Sequence, residues 1–350
     1  MTKSATPAII TGLFRNMKTK AAVLRNVGGP LIFEELEVPK LEKGQVLVKI
    51  LYSGLCRSNI NEIKGRKGAD FIPHLTGHEA SAIVMEIGEG VTKVKTDDYV
   101  VCSWIKGHGL EAPSVKYQSD KDVVNAGACS TFTEYAVISE NRLIKIPVAV
   151  ELIFASLLGC AIPTGAGIVD HYKMIRGQKL AVFGIGGVGA SALLRAVSLG
   201  MDCVAFDIVP WKLQWATKEL GVKTAHPDGF FENNYKSFFD FSIECSGNKS
   251  AMEYSFMSVK TNGTAIIAGN LKPGETIAID PWQLMLGKTI DASGGWDSFL
   301  DTDVLFYGSL YINGLLPIGK LVTKVYSFDQ INESIRDLEE GKLIRGVVEI

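Results

Sequence analysis

Leu180-Ala-Val-Phe-Gly184-Ile-Gly186-Gly-Val-Gly189 decides how the second half of the chain is read. The apolar run at 180–184 has the length of a buried strand, and 187–199 carries the period of a helix. A G-x-G-x-x-G that closes a strand and opens a helix is a cradle for pyrophosphate. Gly184 permits the tight turn, Gly186 lets backbone approach the phosphates and Gly189 allows close packing of helix on strand, while Gly187 and Val188 complete the loop whose N–H groups receive the negative charge. The next expected strand, 203–208, carries Asp207 eighteen residues beyond Gly189. A carboxylate there accepts hydrogen bonds from an adenosine ribose and repels a 2′-phosphate, so the expected cofactor is NAD rather than NADP. Lys212, five residues on, fits two readings, a ribose contact and an exposed helix lysine.

Working outward from the cradle, 211–220 reads as a helix and 241–244, 265–268 and 289–292 as strands. That alternation predicts a parallel, doubly wound sheet. Upstream the rhythm is different. Short Val- and Ile-rich runs at 21–24, 45–52, 81–87, 98–103, 132–138 and 143–146 are broken by Gly, Pro and Asp turns, the pattern of a barrel-like β unit. After a helical stretch from Glu151 to Cys160 the α/β part begins. From Ser298 the tail predicts a helix, a strand at 321–326, an amphipathic helix through 331–338 and a closing strand at 345–350. The expected fold class is thus α/β. A β-barrel unit at 17–165 is completed by 298–350, with a doubly wound unit inserted at 166–297. Residues 1–16 read as an N-terminal extension: Met1 to Gly29 has basic but no acidic residues, and Met17-Lys-Thr-Lys-Ala-Ala-Val has the look of a fresh start.

The composition limits the partners. Lys plus Arg total 36 against 38 for Asp plus Glu, so neither nucleic acid nor an anionic membrane is attracted in bulk. No run approaches the roughly 18 apolar residues of a membrane span. Six cysteines dispersed over 350 residues argue against a disulfide scaffold and for a reducing compartment, which points to the cytoplasm. A small molecule is the expected partner.

Cys56 in Gly54-Leu-Cys-Arg-Ser-Asn, His78 and Glu79 in Gly77-His-Glu, and Cys160 in Leu158-Gly-Cys-Ala-Ile-Pro-Thr stand out by type. Two thiolates and an imidazole suit tetrahedral zinc with an open fourth position, whereas a buried structural thiol is the ordinary reading of any one cysteine. Spacing alone does not bring such distant residues together. The chain, however, resembles the medium-chain dehydrogenase/reductase family in its zinc-dependent alcohol dehydrogenase branch. The resemblance runs from Met17 to Ile350 and rests on the motifs above, on Thr76-Gly-His-Glu-Ala, on Asp98-Tyr-Val-Val, on Phe239-Asp-Phe-Ser-Ile-Glu-Cys-Ser-Gly and on Gly341-Lys-Leu-Ile-Arg-Gly-Val. It implies a GroES-like domain holding one catalytic zinc through Cys56, His78 and Cys160, beside a Rossmann domain binding NAD. It further implies that Glu79 acts near the metal and that Ser58 relays the substrate proton. Arg57 and Arg345 would clamp the pyrophosphate, and Thr164 would pack on the nicotinamide. Relatives of this type pair as homodimers or homotetramers through the sheet edge, here around 289–294.

Three departures from the family pattern matter. Between Val101 and Tyr135 only Cys102 and Cys129 are present, so no four-thiolate structural zinc is expected. Asn59 stands where relatives often have an aspartate that hydrogen-bonds the ligand histidine, and an amide raises imidazole basicity less. Asn61 replaces a relay histidine and cannot act as a base. His74 reads as a turn histidine. Trp104, Lys106, His108, Glu111, Trp282 and Trp296 are candidate pocket residues, with core, interface and solvated-loop roles as alternatives. The polar makeup of 104–118 favours a polyol, sugar or sugar derivative. Two other functions stay open at this level, a zinc-free reductase acting on activated double bonds or quinones, and a non-catalytic NAD(H)-binding protein.

Overall fold

The computed structural model describes residues 17–66, 68–146, 149–230, 234–272, 274–295 and 297–350; the 1–16 extension and Trp296 lie outside them. Five strands close a small barrel in the order Lys18–Leu24, Leu31–Glu37, Lys116–Gln118, Val123–Ala126 and His74–Leu75. Against it lies a mixed sheet in which Gln45–Gly54 is central, flanked by Glu79–Ile87, by Tyr135–Ser139 and by the closing strand Arg345–Glu349. Val347, Val348 and Glu349 pair antiparallel with Gly54, Ser53 and Tyr52. The tail therefore returns to the first half of the chain, as the sequence predicts. Alternation explains the partition: Val46, Val48 and Ile50 point into one core while Leu47 is buried on the opposite face.

Six parallel strands form the second sheet, ordered Lys223–Ala225, Asp202–Phe206, Lys179–Phe183, Phe239–Glu244, Val259–Ile267 and Thr289–Ala292. Leu180, Val182 and Ile243 face one helical layer; Ala181, Phe183, Val204 and Phe206 face the other. Burial on both faces is what a parallel sheet requires, and it is why these strands read as continuous apolar runs. The helix Gly187–Ser198 packs on Ala161–His171, and the largest core cluster runs from Leu157 and Ile162 through Leu193 to Val304 and Tyr307, tying the two halves together. The α/β class with its barrel and doubly wound sheet is as expected. Several elements go beyond the sequence reading: four of the five barrel strands, Leu31–Glu37, His74–Leu75, Lys116–Gln118 and Val123–Ala126, the edge strand Lys223–Ala225, and the helices Arg57–Ile63, Lys249–Ser258 and Pro281–Met285. No single helix among the described residues is long and apolar enough to cross a membrane.

Candidate active site

Each metal-type side chain is delivered by a break in regular structure. Cys56 is the N-cap of the helix Arg57–Ile63, in extended backbone at the end of a sheet strand; the Asn59 side chain reaches back to accept from the Cys56 N–H at 3.0 Å. His78 follows Gly77, whose φ of +89° is in the left-handed region that a side chain avoids. Cys160 sits where the segments Leu152–Gly159 and Ala161–His171 meet at 61°. These breaks aim the side chains at one point. One ligand atom from each of Cys56, His78, Glu79 and Cys160 lies within 4.8 Å of all the others. The four residues are separated by up to 104 positions in sequence.

The electrostatics of the cluster are those of an anion-rich pocket braced by cations. The Cys56 thiol is held well below the ordinary thiol range, first by the hydrogen bond from the Cys160 thiol and then by His78 and Arg345. Cys160 is pushed up by that same thiolate and by burial. Glu79 is fully buried and ion-paired with Arg345, itself 2% exposed, and its other oxygen accepts from Ala161 N at 3.4 Å. His78 is oriented by Asn59, whose Nδ2 lies 3.3 Å from Nδ1, and Ser58 Oγ is 3.4 Å from Nε2. Two thiols, an imidazole and a carboxylate at this separation match the donor set and size of a zinc site.

The cluster opens on a cleft of about 560 Å³ between the halves. On one side it is lined by Arg57, Ser58, Asn61, Glu62, Arg66 and His74, and on the other by Val188, Cys245, Ser246 and Asn270 at the carboxyl ends of the parallel strands. Doubly wound sheets bind their ligands at those strand ends. The cradle lies alongside. Gly184 has φ +93°, a Cβ on Gly189 would collide with the Gly184 carbonyl, and one on Gly187 would collide with the Arg345 side chain. Asp207 accepts from Ile185 N at 2.6 Å and Val209 N at 2.9 Å. Lys212 is only 9% exposed; burial lowers its pKa, and Asp207 and Arg57 are its charged neighbours. Thr164 is buried in the cleft wall. Arg345 lies beneath Gly187 with its guanidinium directed at Glu79 and Cys56.

The pocket candidates divide. Trp104 lines the cleft. Lys106 pairs with Glu111 at 2.6 Å, and His108 meets Phe299 edge-on at 4.8 Å with its N–H donating to Asp301, all outside the cleft lining. Trp282 is 64% exposed on the helix Pro281–Met285, which leads into the edge strand Thr289–Ala292, and is absent from the cleft lining. His74, expected in a turn, is instead buried on a barrel strand with Nε2 at 2.5 Å from Glu62 Oε1. Neither Glu62 nor Arg142, which also lines the cleft, carries a sequence signal of its own.

Residues 42–148 match the model of the alcohol dehydrogenase GroES-like domain. The NDMA-dependent alcohol dehydrogenase of Amycolatopsis methanolica is 31% identical over 95% of this chain and 99% of its own length. Among solved structures, an alcohol dehydrogenase zinc-binding domain protein from Burkholderia ambifaria superposes with a TM-score of 0.87 at 26% identity, covering 95% of this chain and 99% of that one. The benzyl alcohol dehydrogenase of Acinetobacter calcoaceticus gives 0.84 at the same identity and the same coverage of both chains.

Proposed function

Because the chain belongs to the alcohol dehydrogenase branch of the medium-chain dehydrogenase/reductase family, we propose that it is a zinc-dependent enzyme that moves a hydride between NAD(H) and a hydroxylated alcohol of the polyol or sugar type, or its carbonyl. The observation that carries this reading is the convergence of Cys56, His78, Glu79 and Cys160 on the floor of a cleft whose opposite wall is the strand-end surface of the parallel sheet. When bound, zinc supplies a Lewis acid that acidifies an alcohol hydroxyl, and the dinucleotide supplies the hydride acceptor. Cys56, His78 and Cys160 would hold the metal. Glu79, neutralised by Arg345, stays beside it as a charge that tunes the site. Ser58 takes the hydroxyl proton at Oγ. Gly184, Gly186, Gly187, Val188 and Gly189 cradle the pyrophosphate through their backbone, with Arg57 and Lys212 as further cations of that wall and Arg345 bracing Gly187 from beneath. Thr164 packs on the nicotinamide side.

Several finer assignments belong to the same proposal. The Asp207 carboxylate, 8% exposed at the end of its strand, favours NAD by repelling a 2′-phosphate. Asn61, Glu62, Arg66, His74 and Arg142 give the cleft a polar wall, which suits a substrate with hydroxyls away from the reacting carbon. One zinc per chain is expected. Cys102 and Cys129 are buried in the sheet core, where burial pushes Cys129 up to about 12 and holds Cys102 well above the ordinary thiol range, so neither is a ready thiolate. Six free thiols fit a cytoplasmic setting. Thr289–Ala292 is an edge strand with mostly exposed residues, flanked by exposed Trp282, Leu284, Met285 and Leu286, and supports a homodimer or homotetramer. The catalytic unit is 17–165 with 298–350 and the cofactor unit is 166–297, a boundary that falls inside the helix Ala161–His171.

Elemental analysis of wild type and Cys56→Ser, with NAD reduction assayed on an alcohol, polyol and sugar panel, tests this. Near one zinc per chain, lost in the variant together with all activity, is the expected result. A zinc-free wild type that reduces enones or quinones would make it a zinc-free reductase. NADH binding with no turnover on any substrate would make it a cofactor-binding protein without chemistry.

A further inference from the structure

Oxidation of an alcohol to a carbonyl sends the C–H pair to the nicotinamide as hydride and releases the O–H proton, which must reach solvent. Ser58 can pass a proton on but not keep it, and Asn61 cannot take it, because an amide is no base near neutral pH. Ser58, Asn61 and Glu62 occur at i, i+3 and i+4 on the helix Arg57–Ile63, which puts them on one face, and all three line the cleft. Glu62 leads to His74. Its Oε1 is 2.5 Å from His74 Nε2, and the two residues are 9% and 3% exposed. His74 also lines a second cavity, of about 590 Å³, together with Asp70, Phe71, Lys116 and Asn125. Among the described residues it is the one titratable side chain common to both cavities. Its other nitrogen, Nδ1, is enclosed with no hydrogen-bond partner among the described residues. A buried, unpaired imidazole nitrogen is destabilising unless water or a transferred proton uses it.

We propose that Glu62 and His74 form a proton-accepting dyad that drains the catalytic cleft into the outer cavity, in the part that Asn61 cannot play. With one proton on Nε2 shared with Glu62, Nδ1 is the acceptor. The substrate proton leaves its oxygen, crosses by the Ser58 hydroxyl and cleft water, and lands on Nδ1 when a small movement of the His74 ring or its cover admits a water to that enclosed nitrogen. The Glu62 carboxylate holds the resulting imidazolium until outer-cavity water takes the proton, which restores the starting state. Among the described residues, the charged groups that line the two cavities with His74 are Arg57 and Glu62 from the helix, Arg66 and Asp70 from the segment after it, Lys116 from a barrel strand, and Arg142 across the cleft. Cys129, across the cleft, is pushed up to about 12 by burial and stays neutral.

This inference rests on the dehydrogenase reading, and one set of assays separates the two. The measurement is kcat/KM for alcohol oxidation against pH for wild type, His74→Gln and Glu62→Gln, with and without added imidazole, alongside zinc content and NADH affinity. Each variant should lose about 100-fold near pH 7. The loss should shrink as pH rises, and imidazole should restore part of the His74→Gln rate while zinc and NADH binding stay at wild-type levels. Wild-type rates and pH profiles in both variants would overturn the dyad, and so would a loss that neither imidazole nor alkaline pH relieves. A wild type that oxidises no alcohol would instead overturn the dehydrogenase reading itself.

Discussion

The two halves of this protein build their sites by opposite means. In the proposed cofactor half the cradle is one contiguous loop, Gly184 to Gly189, whose proposed working groups are backbone N–H groups left open by the absence of side chains. In the catalytic half the working groups are side chains, brought together from a helix cap, a loop before a strand and a bend between helices. The first design needs little from the rest of the fold. The second needs all of it, and it adds a buried ion pair, Glu79 with Arg345, whose partners come from opposite ends of the chain. The difference teaches where each half is fragile: a substitution in the buried Glu79–Arg345 pair should strike folding and metal together, and a cradle substitution should strike cofactor affinity alone.

The hardest test of that contrast is Glu79→Gln. Both members of the pair are almost wholly enclosed, so the amide would leave the Arg345 guanidinium buried with only the Cys56 thiolate opposite it. Breaking one side of such a pair costs about 3–5 kcal/mol, far above the value of an exposed bridge. A denaturant titration should show a fall of that size and, on the same sample, weakened zinc retention. A drop under about 1 kcal/mol would mean that Arg345 is satisfied by other groups and that the catalytic half is less interdependent than argued.

Gly189→Ala probes the other side. The added Cβ would lie 2.0 Å from the Gly184 carbonyl oxygen, so the loop must shift by about an ångström or more to reach ordinary contact. Overpacking of this kind costs about 1–3 kcal/mol, which falls on the bound state if the empty loop can relax. NADH affinity should fall roughly 10- to 100-fold while zinc content and the unfolding midpoint hold near wild type. Equal losses of stability and affinity would break the contrast.

The same division explains what the sequence could and could not reveal. The cradle, Asp207 and the parallel strands were legible because their signals are local: an apolar run, a glycine spacing and an acid at the next strand end. The convergence of Cys56, His78 and Cys160 was suggested only by the resemblance to a family, since no periodicity links Cys56 to Cys160. The helix Arg57–Ile63 escaped because it has seven residues and is fixed by its Cys56 and Asn59 caps and by packing rather than by propensity. Leu31–Glu37 escaped because its two buried residues, Leu31 and Leu36, do not alternate. His74 misled for a third reason. The residue after a proline ordinarily suggests a turn, and only the barrel strand and Glu62, twelve residues away, make it a buried dyad.

The finest contrast concerns one atom. Asn59 uses its carbonyl oxygen to accept from the Cys56 N–H, which leaves its amide nitrogen, a donor, against His78 Nδ1. For Nε2 to bind a cation, Nδ1 must carry the ring proton and needs an acceptor. The two demands on a single amide conflict, whereas a carboxylate meets both, one oxygen for Cys56 and one for His78. Asn59→Asp should therefore tighten zinc, by about 10-fold in a chelator competition, the low end of what such supporting groups contribute. NADH affinity should not move, since Asn59 is fully buried and absent from the cleft lining. An unchanged zinc affinity would mean that the amide turns over when the metal binds and gives its oxygen to His78, so that the Cys56 N–H goes unpaired and the cost is moved to the helix cap instead of removed.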